Sequence, residues 1–183
     1  MSNAVAAACA AVALEVGSVD IELGLRSFVS SPGRVERHVI EGREIILDYG
    51  HNVAALQGLA ELVARLGARR VIGVVSMPGD RRDEDRVTFG ALAGALFDEL
   101  FVAEPAIRGR PVGEAAALMI EAAGRGRDGL PSRAGRATFV PDEAAASCAA
   151  YAASLPGDLL VLCVSNGLRI MAALATATAT GGP

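Results

Sequence analysis

The sequence predicts an α/β fold: a Rossmann-like, mostly parallel sheet with helices on both faces and a β-hairpin at one edge. Two observations carry this. From residue 32 onward, short runs of Val, Ile and Leu alternate with amphipathic stretches of helical length, the pattern of consecutive βαβ units. The 183-residue chain is 52% hydrophobic, much of it alanine, but only 4% aromatic, with no Trp. Small side chains of this kind pack Ala/Leu helices on Val/Ile strands better than they fill an all-β sandwich. Right-handed crossovers then place helices on both faces of the sheet.

The elements follow in chain order. Residues 3–15 read as an Ala-rich helix and 19–28 as a second, with Ser18 placed to cap it. Ser30-Ser31-Pro32-Gly33 breaks the pattern and marks a boundary. Two helices cannot bury a core alone, so residues 1–31 are expected to lean on something else. Residues 34–40 and 43–47 flank Glu41-Gly42 and predict a hairpin. Val53, Leu56, Leu59, Val63 and Leu66 recur at helical spacing. Residues 71–75 form a buried-strand run, and 83–96 a helix with Val87, Ala91 and Ala95 on one face. A strand at 99–103 and a helix at 112–123 precede a Gly- and Arg-rich stretch, 124–136, read as a mobile loop. Strand 137–140, helix 142–152, strand 159–164 and helix 168–175 complete the domain, 32–175, and residues 176–183 are expected to form a disordered tail.

Composition excludes several functions. The net charge of −4 leaves no basic footprint for nucleic acid. All 17 basic residues are Arg, so neither a P-loop nor Schiff-base lysine chemistry is available. Cys9, Cys148 and Cys163 are scattered among apolar neighbours. They suit buried free thiols in a reducing cytoplasm rather than disulfides or zinc. The N-terminus lacks the basic segment of a signal peptide, and no apolar stretch is long enough to span a membrane. A cytoplasmic protein with no membrane partner is expected. There is no Ser-His-Asp order, HExxH or CxxC, so no catalytic residue and no metal ligand is assigned.

In parallel sheets ligands gather outside the carboxyl ends of the strands. Two such tips are unusually polar. In Asp48-Tyr49-Gly50-His51-Asn52, Asn52 is a natural N-cap, and Asp48 and His51 could simply satisfy backbone groups in a tight turn around Gly50. The functional alternative is a nucleotide site. There a carboxylate accepts ribose hydroxyls, His51 meets a phosphate or base, and helix N-terminal amides favour anions. In Ser76-Met77-Pro78-Gly79-Asp80-Arg81-Arg82, Asp80 can cap the next helix. Arginines at a helix start are unfavourable unless a phosphate or substrate carboxylate stands nearby. Arg34 follows the boundary and can point into a cleft, although a lone loop arginine is usually solvated. His38 has no obvious partner, and residues 108–111 read as solvated surface.

Taken together, these stretches resemble the C-terminal domain of the Mur ligase family, and within it the cyanophycin synthetases. The resemblance rests on Pro32-Gly33-Arg34, on the Asp48–Asn52 tip and on Pro78-Gly79-Asp80-Arg81-Arg82-Asp83-Glu84-Asp85. Arg108-Gly109-Arg110-Pro111, Val140-Pro141-Asp142-Glu143-Ala144 and Pro156-Gly157-Asp158-Leu159 follow in the same order. Gly50 and Val53 depart from the family's usual Ala and Pro; neither change removes a ligand atom. The family activates a carboxylate with ATP as an acyl phosphate, which an amino acid's amine attacks; in cyanophycin synthetase that amino acid is arginine. The resemblance implies that residues 1–31 are a helical remnant of the central ATPase domain. It implies that Arg34, Asp48, His51 and Asn52 face ATP, and that Asp80 and Arg81 face the incoming amino acid. It also implies that Mg2+ is held mainly by the central ATPase domain, so this chain alone is expected to be inactive. The alternative is a freestanding, non-catalytic nucleotide or small-molecule binding module.

Overall fold

The computed structural model describes residues 2–29, 31–126 and 131–180. The chain divides between Ser31 and Pro32 into two compact units. The first holds α1 (Ser2–Ala13) and α2 (Ser18–Arg26). None of its described residues is buried, and Leu14, Phe28 and Val29 are largely exposed. Ser18 does not cap α2: it is the first helical residue, Gly17 holds the cap position, and no side chain bonds the free amides.

The second unit is a six-stranded sheet in the order β1-β2-β6-β3-β4-β5. Its strands are β1 (Glu36–Ile40), β2 (Arg43–Asp48), β3 (Val71–Ser76), β4 (Glu99–Ala103), β5 (Arg136–Phe139) and β6 (Leu159–Cys163). Only β1 is antiparallel, joined to β2 through Glu41 (φ 47°) and Gly42 (φ 77°). Two consecutive left-handed residues make the tight turn that matches strand twist. β2, β6, β3, β4 and β5 all run parallel. Strands β3 and β6 are buried along their whole length, which is why they read as unbroken apolar runs.

Helices α3 (Val53–Leu66), α4 (Asp83–Leu96) and α5 (Glu114–Arg125) follow β2, β3 and β4. Their apolar residues join one core layer, which includes Leu56, Phe89 and Met119. The chain then turns back across the sheet. Helices α6 (Glu143–Ala153) and α7 (Gly167–Thr180) cover the opposite face around Tyr151, Ile170 and Leu174. Right-handed crossovers require this: steps in one direction along the sheet share a face, and the reversed step takes the other. Connections leave β2 and β3 toward one face and β6, between them, toward the other. A crevice therefore opens at the tip of β6.

Several expectations are corrected. The buried face of α4 is Arg86, Phe89, Gly90, Leu92, Ala93, Gly94 and Leu96, whereas Val87 is exposed. Helix α5 starts at Glu114, after a left-handed Gly113. Within the loop expected at 124–136, residues 127–130 lie outside the described residues. The part after them is fastened, because the amides of Arg133 and Ala134 donate to Gly94 O and Arg133 pairs with Asp98 at 2.9 Å. Helix α7 runs to Thr180, so residues 176–180 are helical; 181–183 lie outside the described residues. Cys9 is exposed rather than buried. His38 has a partner, with Nε2 2.9 Å from Glu36 Oε1.

Candidate functional site at the carboxyl edge of the sheet

Asp48 ends β2 beside Cys163, the last residue of β6. Its carboxylate is 7% exposed and fully engaged with backbone. Oδ1 accepts from Gly50 N (2.6 Å) and Oδ2 from Val35 N (3.0 Å). The second bond holds a left-handed Val35 (φ 50°) and so fixes the segment that carries Arg34. Gly50 leaves the turn close-packed: a Cβ there would stand 2.8 Å from Asp48 Oδ1 and 3.0 Å from Ala55 Cβ, so a side chain at this position needs those two to shift. Asn52 caps α3, accepting from Ala55 N at 2.9 Å. His51 Nδ1 lies 2.9 Å from Tyr49 O. A carbonyl only accepts, so Nδ1 carries the proton and Nε2 has no hydrogen bond among the described residues. The ring also meets Tyr49 edge-on, and Arg34 lies over the Tyr49 ring at 5.2 Å.

The β3–α4 loop is built more tightly than its charged sequence suggests. Gly79 N donates to Ala106 O (2.8 Å), and a Cβ on Gly79 would fall 1.9 Å from Ile107 O. Arg110 clamps the same loop, through Nε to Gly79 O (3.0 Å) and Nη2 to Asp83 (2.7 Å); Arg108, Gly109 and Pro111 are exposed, as expected, and Arg110 alone of residues 108–111 is drawn in. Arg86, wholly buried, donates to the carbonyls of Pro78 and Arg81 and to Asp83. Asp80 does not cap α4. Arg82 holds that position without a side-chain bond, and Asp80 faces Arg108 at 3.6 Å. Arg82 pairs with Asp85 through two hydrogen bonds. Among the described residues the Arg81 guanidinium makes no ion pair.

Three depressions adjoin along this edge. A central cleft of about 250 Å³ sits at the crevice, between Tyr49, His51, Ser76, Arg108 and Ser165. A groove of about 490 Å³ adds Arg34, Glu36 and Asn166 beyond Tyr49. Another, about 390 Å³, brings Arg81 together with His51 and Asn52. Of the residues named from sequence, Arg34, His51, Asn52 and Arg81 line these depressions; Asp48 lies beneath them and Asp80 turns aside to Arg108.

Sequence reasoning missed the floor of the cleft. Glu143, 2% exposed, accepts from Ser76 Oγ (2.9 Å), Ser165 Oγ (2.6 Å) and Ser165 N (3.0 Å). Both serines stand at strand tips, but a Glu in the first turn of a helix reads as an ordinary dipole partner. The Cys163 thiol at the same floor is pushed far up by burial, and further by the charges of Asp48 and Glu143. Burial raises the half-buried Cys148 too. An aromatic disulfide reagent at neutral pH is therefore expected to modify Cys9 first, Cys148 slowly and Cys163 only on unfolding. Rapid modification of two or more thiols in the native protein would contradict this placement.

Among the described residues no group of three His, Cys, Asp or Glu could hold a metal ion. A family model described as Mur ligase, glutamate ligase domain, matches residues 33–166. The chain belongs to the Mur ligase family. A cyanophycin synthetase from Trichormus variabilis is 41% identical over 124 residues, which are 65% of this chain and 14% of that protein. The chain thus spans a small part of the relatives it matches. A murein peptide ligase from Psychrobacter arcticus shares the fold, with a TM-score of 0.68 at 16% identity, covering 94% of this chain and 36% of that one. A MurF ligase from Thermotoga maritima, solved with ADP, gives 0.62 at 19%, covering 95% and 37%. This Mur ligase domain has no described helix long and apolar enough to cross a membrane.

Proposed function

We propose that this Mur ligase domain closes over ATP and holds the incoming amino acid in an amide ligase of the cyanophycin synthetase type. Such a ligase joins an amino acid, arginine, to a carboxylate activated as an acyl phosphate. The observation that carries this reading is the Asp48–Asn52 tip. It combines a capped helix N-terminus, an imidazole with a fixed tautomer and a neighbouring Arg81 in one groove, all at the carboxyl edge of a parallel sheet. The 41% identity to a cyanophycin synthetase supports the type.

In this reading Arg34, His51 and Asn52 face ATP. Asp48 fixes the turn and the Arg34 segment from below, through its bonds to Gly50 N and Val35 N. Arg81 and Asp80 lie toward the amino acid and the closing cleft, Asp80 through its hold on Arg108. The residues named suit an adenosine and an anion, and in this reading Mg2+ is held mainly by the central ATPase domain. A central ATPase domain is the expected partner, and the cytoplasm the expected compartment.

The test is ADP release with ATP, Mg2+ and arginine. The 183-residue chain is expected to be silent, having no Lys for a P-loop. The same chain within its full-length ligase should release ADP only when the amino acid is added. Amino-acid-dependent turnover by the chain alone overturns the division of labour. ATP binding with no amino-acid effect in the longer protein favours a freestanding binding module.

A further inference from the structure

Two loops meet at the carboxyl edge: residues 77–82 after β3 and 104–113 after β4. The second is closed on itself. Glu104, 6% exposed, accepts from Gly113 N at 2.6 Å, tying the loop's first residue to its last. Inside it, Arg110 N donates to Ile107 O at 3.0 Å. Arg110 therefore stands on a fixed base.

From that base its side chain crosses to the other loop. Nε donates to Gly79 O (3.0 Å) and Nη2 pairs with Asp83 Oδ1 (2.7 Å). The same Asp83 oxygen accepts from Arg86 Nη1 at 3.1 Å. Arg86, wholly buried, also donates to the carbonyls of Pro78 and Arg81. The Arg81 amide donates to Pro78 O at 3.2 Å. Both backbone polar groups of Arg81 are thus held by contacts that lead back to Arg110. The Arg81 side chain is the opposite case: it is exposed, makes no ion pair among the described residues, and lies in the groove with His51 and Asn52. A long side chain offered to a ligand is precise only where its supporting contacts are locked. Arg110 is not among the residues that line the three depressions, so its place is behind the groove.

We propose that Arg110 is a positioning residue for the incoming amino acid: it holds the Arg81 backbone through Gly79 and Asp83 and does not touch the ligand. The inference rests on the ligase reading. A planar fork is needed, because one side chain must serve a carbonyl and a carboxylate at once.

The test is steady-state ADP release by the full-length ligase. Arg110→Ala is expected to raise the amino-acid KM about tenfold, the scale of a misplaced binding group, with the ATP KM unchanged. Arg110→Lys keeps the charge but not the fork and should recover part of that loss. Glu114→Ala removes the remaining partner of Arg110 (2.8 Å) and should leave both KM values unchanged. A double-mutant cycle separates positioning from general loosening: in an Arg81→Ala background, Arg110→Ala should add less than about twofold. Hydrogen exchange reads the latch without turnover. In the 183-residue chain, Arg110→Ala should speed exchange over residues 76–82 at least about fivefold and leave residues 44–52 unchanged. An unchanged amino-acid KM, a full effect in the Arg81→Ala background, a matching rise in the ATP KM, or unaltered exchange over residues 76–82 would each overturn the proposal. The ligase reading fails by a different result, no amino-acid-dependent ADP release from the unsubstituted full-length protein. The exchange measurement then still decides whether Arg110 holds the Arg81 backbone.

Discussion

Gly94→Ala is expected to destabilise the protein by about 3 kcal/mol, the scale of severe overpacking. Helices α4 and α5 approach through Gly90 and Gly94, one turn apart on the buried face of α4. A Cβ on Gly94 would stand 2.1 Å from Ala123 O and 2.6 Å from Ala123 Cα; one on Gly90 would stand 2.3 Å from Met119 O. These are backbone atoms, so no rotamer change relieves the clash and the helices must separate. Separation would also pull on Arg133 and Ala134, whose amides donate to Gly94 O. Gly58→Ala is the matched control. It sits in the interior of α3 with nothing within 4 Å of the added Cβ, and Ala is favoured there by about 1 kcal/mol. Urea unfolding of the two variants should shift the midpoint in opposite directions. A Gly94→Ala midpoint equal to the parent's would refute the close approach of the two helices.

The same two glycines mark where sequence stops being informative. Helix α4 buries Arg86, Gly90 and Gly94 alongside Phe89, Leu92, Ala93 and Leu96. The apolar four recur at helical spacing and were legible, so Val87, Ala91 and Ala95 were the wrong choice of face; the buried glycines and arginine were not legible. Phe97 shows the effect within the sheet: its ring lies where a Cβ on Gly73 would be, 2.4 Å away. Elements whose signals are local were legible. Asn52 capping a periodic run, Glu41-Gly42 between two extended runs and the solid apolar strands each carry their cause in adjacent residues. The candidate site divides in the same way. The polar tips followed from the rule for parallel sheets, because strand ends are visible in sequence. Glu143 joins Ser76 and Ser165 across 67 and 22 residues of chain. Arg86 looks like one more charge in an exposed run but is the buried tie of its loop. Contacts of that kind depend on strand order, which places β6 between β2 and β3 and leaves no local trace.

Asp48→Ala is expected to lose both stability and nucleotide affinity, and the two losses have different origins. Removing the carboxylate leaves Val35 N and Gly50 N without their partner. An unsatisfied buried donor costs about 1–3 kcal/mol, so a loss on the order of 3 kcal/mol is expected in urea unfolding. The cavity left behind and the release of a left-handed Val35 act in the same direction. Nucleotide affinity should fall because Arg34 and His51 are carried by the segments that these two bonds fix. His51→Ala separates the effects. Among the described residues the half-buried imidazole is hydrogen-bonded only to Tyr49 O, so its loss should leave the unfolding midpoint nearly unchanged while weakening ATP about fivefold, the worth of one neutral hydrogen bond that Nε2 accepts from a ribose hydroxyl or a base amino group. Calorimetry with ATP decides between positioning and contact. If folded Asp48→Ala, kept well below its unfolding midpoint, binds ATP as tightly as the parent, Asp48 has no nucleotide role and is a structural cap. If affinity falls in Asp48→Ala but not in His51→Ala, the ligand engages the carboxylate and the Arg34 side of the tip rather than the imidazole.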